Sequence, residues 1–218
     1  MSREERELVK KLLYGLVYGA GEGLLSQELG CSRGEARGHI QRFHARFSAL
    51  RKWCLSCTNG GEEGIAGGAE GAGAAPQVTI SSLGGVRSLG GRLRHLAGLN
   101  SDLGKSSQAY ASAARQAVNT ICQSSVADIV KLGLTRVGER LCGGGGGGGG
   151  EEGLLKGPVL QIHDELVWEV ELGREREGGL LIKSCLEAVG ADYFNLKVPL
   201  LVKLSTGASW GDLQPLEL

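Results

Sequence analysis

Three groups of residues carry types and spacings that could do chemistry. The first is His163, Asp164 and Glu165, set between the apolar runs of Val159–Val170. Those runs are rich in β-branched and aromatic residues, and Leu166, Trp168 and Val170 alternate onto one face. A β-hairpin with the polar triplet at its tip is therefore predicted. Two adjacent carboxylates repel each other, and a pair held ionised at neutral pH usually has a cation beside it. A hard, oxygen-liganded ion such as magnesium suits them best. The plain alternative is a solvated acidic turn.

The second group is a stripe. Arg6, Lys10, Tyr14 and Tyr18 recur every four residues on one face of a helical segment. Two cations followed by two aromatics could grip a phosphate chain and stack on something flat, the needs of a nucleoside triphosphate. The alternative is an amphipathic helix with surface charges and half-buried tyrosines. The third group is Arg115, Asn119 and Gln123, again four apart. An arginine and two carboxamides in line form a donor ladder, fit for minor-groove acceptors or for sugar and phosphate oxygens without regard to sequence. A buried polar seam between helices would use the same residues.

These residues need elements to hold them. Arg3 to Gly19 has helical period, with Leu8, Val9, Leu12, Leu13 and Leu16 on an arc expected to face the core. Leu24 to Trp53 reads as two or three short helices broken near Gly30 and Ser32, with Ser32 and Glu35 as a capping box. Leu25, Leu29, Ile40, Phe43, Phe47 and Leu50 are the expected core there, and Arg33, Arg37, Arg42, Arg46 and Arg51 the outside. Gln77 to Ser81 alternates like an edge strand, and Arg92, Arg94 and His95 form a small basic cluster. Gln108 to Leu134 is the longest periodic segment, with Val118, Ile121, Ile129 and Leu132 on one side.

With 218 residues and 41% hydrophobic content, the chain can bury a real core in one or two domains. Many of its 38 glycines sit in two tracts, Asn59–Ala75 and Gly143–Gly150, which are expected to be flexible insertions. Lys plus Arg and Asp plus Glu are both 24, so there is no global basic signature. The front is basic and the back acidic: residues 1–60 hold ten cations against six acids, and residues 136–218 hold eight against thirteen. No apolar run is long enough to cross a membrane and the N-terminus is charged, so a soluble, intracellular protein without membrane partners is expected. Cys54 and Cys57 have no second pair at zinc-site spacing, which favours reduced, packed thiols.

Together the three groups resemble the family A DNA polymerases, and in the family's order. Arg6, Lys10, Tyr14, Tyr18 and Gly19 look like the fingers helix called motif B. Arg115, Asn119 and Gln123 look like the helix that touches primer and template. His163, Asp164 and Glu165 look like motif C. Val198–Val202 resembles the last palm strand and Thr206–Leu213 the tail, and within the family the theta and nu type is most similar.

The resemblance implies an α/β (α+β) fragment of a polymerase domain. Helical fingers would occupy residues 1–57, a glycine-rich insert and edge strand residues 58–91, and a palm with an antiparallel sheet residues 92–218. It implies DNA-directed DNA synthesis on a primer-template, in repair, lesion bypass or end joining, in the nucleus. Arg6, Lys10, Tyr14 and Tyr18 would bind the deoxynucleoside triphosphate, and Arg115, Asn119, Gln123 and His163 the DNA. Asp164, Glu165 and Lys10 would be catalytic, with Asp164 sharing two magnesium ions. Motif A, which carries the other metal-binding aspartate, precedes motif B in the family and is not among these residues. The chain alone is therefore expected to be inactive. Ala114 stands where relatives usually have glutamate, and Gly91–Leu96 is a loose version of an arginine-rich turn. A non-catalytic DNA-binding remnant, a truncated reading frame and an unrelated metal-dependent hydrolase are the other readings.

Overall fold

A computed structural model describes residues 2–58, 80–81, 84–99, 107–142 and 153–218. Both glycine tracts lie outside the described residues. The chain divides into two compact units, residues 1–66 with 77–124, and residues 67–76 with 125–218.

The first unit opens with helix α1, Arg3–Val17, started by a capping box in which Ser2 Oγ accepts from the Glu5 N–H and Glu5 Oε2 accepts from the Ser2 N–H. Gly19, at φ +82°, takes the left-handed turn past its end. Helices α2 (Glu22–Leu29), α3 (Arg33–Arg46) and α4 (Ser48–Ser56) follow. The break falls as expected: Gly30 is left-handed, and the capping box of Ser32 and Glu35 starts α3. A three-stranded antiparallel sheet comes next, in the order β1 (Ile80–Ser81), β2 (Gly85–Arg87), β3 (Leu93–His95). β1 lies at its edge, as predicted, whereas β2 and β3 are too short to leave a period in the sequence. Residues 77–79 lie outside the described residues.

Helix α5, Gln108–Cys142, runs eight residues beyond the expected end. Its residues up to Ser124 belong to the first unit. There Ala113, Ala117, Val118 and Ile121 form a core with Cys57, Val86 and Leu96, against which Val17, Tyr18 and Trp53 pack. Small side chains on α5 let the backbone come close: a Cβ on Gly98 would lie 2.6 Å from Ala109 O and 2.8 Å from Ala113 Cβ. The thiols are free, as expected; Cys57 and Cys185 are buried, whereas Cys142 is exposed rather than packed. Burial, with the neighbouring Cys54 and Cys122, pushes the Cys57 thiol up to about 12.

Two expectations about this core are corrected. Among the described residues the apolar arc of α1 is covered only in part: Leu12 and Leu16 are half-buried, Leu8, Val9 and Leu13 are exposed, and no residue of α1 is fully buried. Of the six expected core residues in α2–α4 only Leu25 is buried, and Phe47 is half exposed. Periodicity finds the apolar side of a helix, but burial needs a second surface to meet it.

In the second unit the rest of α5 packs against the hairpin of β4 (Leu155–Ile162) and β5 (Glu165–Val170) and against helix α6 (Glu175–Phe194). Val137, Leu154, Leu155, Leu181, Ile182 and Cys185 are buried together, with Trp168 and Val170 against them. Where α5 meets α6 a Cβ on Gly133 would overlap the Leu186 side chain, so glycine sets that approach. The sequence reading assigned no helix at α6. Val198–Val202 is not a strand: it starts in a bend and has no ladder partner among the described residues, and Pro199 has no N–H to donate. It is held from the side instead. The Val202 N–H donates to Glu187 Oε1 at 2.9 Å, and Lys183 Nζ donates to Val202 O at 2.9 Å. The ladder forms later, between β6 (Ser205–Thr206) and β7 (Gln214–Pro215). The architecture is thus mixed helix and small antiparallel sheets, the expected α+β class.

Candidate functional site

Site residues fall in both units. On α1, Arg6 and Lys10 are exposed and form no ion pair among the described residues; it is Lys11 that pairs, with Glu28 of α2 at 2.6 Å. Tyr14 and Tyr18 stack, with ring centroids 6.4 Å apart and planes 14° from parallel. Tyr18 is half-buried against the first core, and Tyr14 stays 51% exposed. The stripe therefore presents two uncompensated cations and one aromatic face to solvent, with the inner tyrosine fixing the outer one.

The ladder is a surface feature. Arg115, Asn119 and Gln123 are all exposed on α5, while Ala117, Val118, Thr120 and Ile121 turn inward. This excludes the buried polar seam. Arg115 also touches the end of the stripe, since a Cβ on Gly19 would sit 3.2 Å from Arg115 Cγ. A cavity of about 340 Å³ opens beside them, with Tyr18, Gly19, Phe43, His44, Arg51 and Arg115 in its wall. Burial, with the Arg51 charge, holds His44 below the ordinary histidine range.

Two anchors of this helix were not foreseen. Arg92 Nη2 donates to Ser124 O at 2.9 Å, and Arg94 Nη1 donates to Thr120 Oγ1 at 3.2 Å. The only trace of them in the sequence is the basic cluster at residues 92–95, which does not say what the arginines reach. Asp128, a buried carboxylate of α5, was also passed over.

In the second unit the predicted hairpin is present. Ile162 pairs with Glu165, leaving His163 and Asp164 as a two-residue loop. His163 has φ 53° and Asp164 does not share the positive sign, the φ pattern of a type II′ connection, which usually has glycine at its first position. Holding a histidine there costs on the order of 1 kcal/mol, and such strain clusters at functional positions. Trp168 and Val170 root the hairpin in the second core, so its tip stands on a packed base. His163, Asp164 and Glu165 are exposed. Two adjacent carboxylates are the right donors for a hard cation. Among the described residues no three His, Cys, Asp or Glu side chains gather at one point, the hairpin tip included.

Comparisons with known proteins bear on all of these elements. The family model "DNA polymerase family A" matches residues 1–66 and 75–212. DNA polymerase theta of Drosophila melanogaster is 29% identical over 98% of this chain and 9% of its own length. DNA polymerase I of Chloroflexus aurantiacus is 28% identical over 100% of this chain and 20% of its own. A solved structure of the POL domain of Pol1 from M. smegmatis, in complex with DNA primer-template and dNTP, is 27% identical; it aligns with a TM-score of 0.67 over 91% of this chain and 29% of that one. The chain thus spans a fifth or less of the curated relatives named here.

Proposed function

The chain belongs to DNA polymerase family A, and from that premise we propose that it is the fingers-and-palm portion of a DNA-directed DNA polymerase that transfers nucleotides from deoxynucleoside triphosphates to a primer 3′ end. Residues 1–57 are the fingers and residues 92–218 the palm in this reading. The theta likeness supports repair or lesion-bypass synthesis in the nucleus.

The observation that carries the proposal is the tip of the β4–β5 hairpin, where a strained His163 leads into an exposed Asp164 on a packed base. Asp164 would hold magnesium, with Glu165 beside it. When bound, two such ions lower the pKa of the primer hydroxyl and neutralise the charge on the departing pyrophosphate. The chain's own residues do the rest. Arg6 and Lys10 bind the triphosphate oxygens, and Lys10 offsets the charge that grows on the leaving phosphates. Tyr14, braced by Tyr18, packs on the flat part of the nucleotide. Arg115, Asn119 and Gln123 line up the primer-template, and His163 contacts the primer end.

The test is Asp164→Asn in a protein completed with the metal-binding strand of a relative. Asparagine keeps the shape of the turn and removes the charge that holds the metal. Primer extension should fall by several orders of magnitude while folding and duplex binding persist, because the loss acts on the transition state. Near-normal extension by Asp164→Asn, with Glu165→Gln inactive, moves the metal ligand by one residue. Normal extension by both variants refutes the assignment.

A further inference from the structure

The second unit holds a cavity of about 510 Å³ between the end of α5 and the second half of α6. None of the residues in its wall belongs to the stripe, the ladder or the hairpin tip. Arg136 is fixed there from two sides: its Nη1 donates to Asp192, and its guanidinium lies over the Tyr193 ring, 5.7 Å from the centroid. A guanidinium has five N–H donors, and the remaining ones make no hydrogen bond among the described residues. One turn on, Arg140 adds a second positive charge to the wall. Beside it the Glu139 carboxylate has no partner among the described residues. Tyr193 keeps 52% of its surface exposed, and its hydroxyl makes no hydrogen bond among the described residues. Bracing α5 against α6 accounts for the Arg136–Asp192 pair and for nothing else in this wall.

What the wall leaves unsatisfied defines a ligand. It offers guanidinium N–H groups to an anion, a phenol ring to a flat group, and the carboxylates of Glu139 and Asp192 to N–H or O–H donors. A simple anion uses only the first of these and an aromatic hydrocarbon only the second. A nucleoside phosphate uses all three, with its phosphate on the arginines, its base on the tyrosine, and its amino or sugar hydroxyl groups on the carboxylates. The volume falls within the range of about 300–1,000 Å³ typical of small-molecule sites. Arg136, already held by Asp192 and Tyr193, loses little freedom on meeting a phosphate. We propose that this cavity binds a nucleoside monophosphate, at a site separate from the α1 stripe. The proposal does not rest on the polymerase reading, which uses none of these residues.

Calorimetric titration of dAMP into the full chain, without metal or DNA, tests this. Saturable binding at one site is expected. Tyr193→Ala removes the stacking ring and should weaken binding about tenfold. Arg140→Gln removes one charged contact and should weaken it by about the same factor. Both positions are exposed, and thermal melts of the variants check that the fold is kept. Should either variant unfold, Glu139→Gln carries the test: its carboxylate braces nothing among the described residues, and its loss should weaken binding roughly threefold. Deoxyadenosine and inorganic phosphate should each bind more weakly than dAMP, and Lys10→Ala should bind dAMP as the unaltered chain does. No saturable binding of dAMP overturns the proposal, and so does unchanged binding by folded Tyr193→Ala, Arg140→Gln and Glu139→Gln. Binding that Lys10→Ala abolishes belongs to the stripe and overturns it too. Inorganic phosphate binding as tightly as dAMP makes the cavity a plain anion site and overturns the nucleotide assignment.

Discussion

Gly19, at the end of the Arg6–Tyr18 stripe, lies against the stem of Arg115, the first rung of the ladder on α5: a Cβ there would meet Cγ at 3.2 Å and Cδ at 3.7 Å. Its φ of +82° is open to glycine and strained for other residues. Gly19→Ala should lower stability by about 1–2 kcal/mol and displace Arg115, weakening duplex binding. Gly38 in α3 is the contrast. A Cβ there meets nothing within 4 Å, so Gly38→Ala should stabilise the protein by about 0.5–1 kcal/mol. Thermal unfolding of the two variants should move in opposite directions.

Lys10 is exposed and forms no ion pair among the described residues. Lys10→Ala should therefore change stability by no more than about 0.5 kcal/mol. In a protein completed with a second metal-binding strand it should raise KM for the nucleotide and lower kcat, whereas Asp164→Asn acts on kcat. Single-nucleotide incorporation kinetics separate the two, and an unchanged KM in Lys10→Ala would remove Lys10 from the triphosphate site.

The 218 residues by themselves should bind a primer-template and fail to extend it. If the hairpin tip holds magnesium as proposed, it supplies one carboxylate strand, and a two-metal site needs ligands from more than one. Magnesium-dependent incorporation by the purified chain would contradict this.

Glu187 holds the Val198–Leu204 segment to α6. The Lys183 ammonium, then the Val202 N–H, keep its carboxyl below the ordinary value of 4.5. A lowered folded pKa means that the contribution is complete above the unfolded value and is lost as pH falls through the folded one. Hydrogen exchange at the Val202 amide should therefore quicken, relative to its intrinsic rate, as pH drops below about 4.5. Glu187→Gln should show that faster exchange already at neutral pH.

Replacing Gly98 by alanine should be the more damaging change in the first core. The new Cβ would press on the Ala109 carbonyl and Ala113 Cβ, and neither can swing away as a long side chain would. A loss of about 1–3 kcal/mol is expected, read from denaturant midpoints.

What the sequence determined by itself is local. The stripe of α1, the ladder of α5, the capping boxes at Ser2 and Ser32 and the turn at His163–Asp164 depend on residues within a few positions of one another, so periods of 3.6 and 2 and the choice of capping residue reveal them. The family resemblance rests on those same local motifs. Tertiary structure decided what each face meets. Leu8, Val9 and Leu13 read as core and are exposed, because no described residue covers them. Val198–Val202 reads as a strand, but a strand exists only if a partner edge is there, and side chains of α6 hold its backbone instead. Arg94 of β3 and Arg92 just before it reach α5 across 26 and 32 residues of chain. No spacing rule links positions that far apart, since only the packing of hairpin on helix brings them within reach.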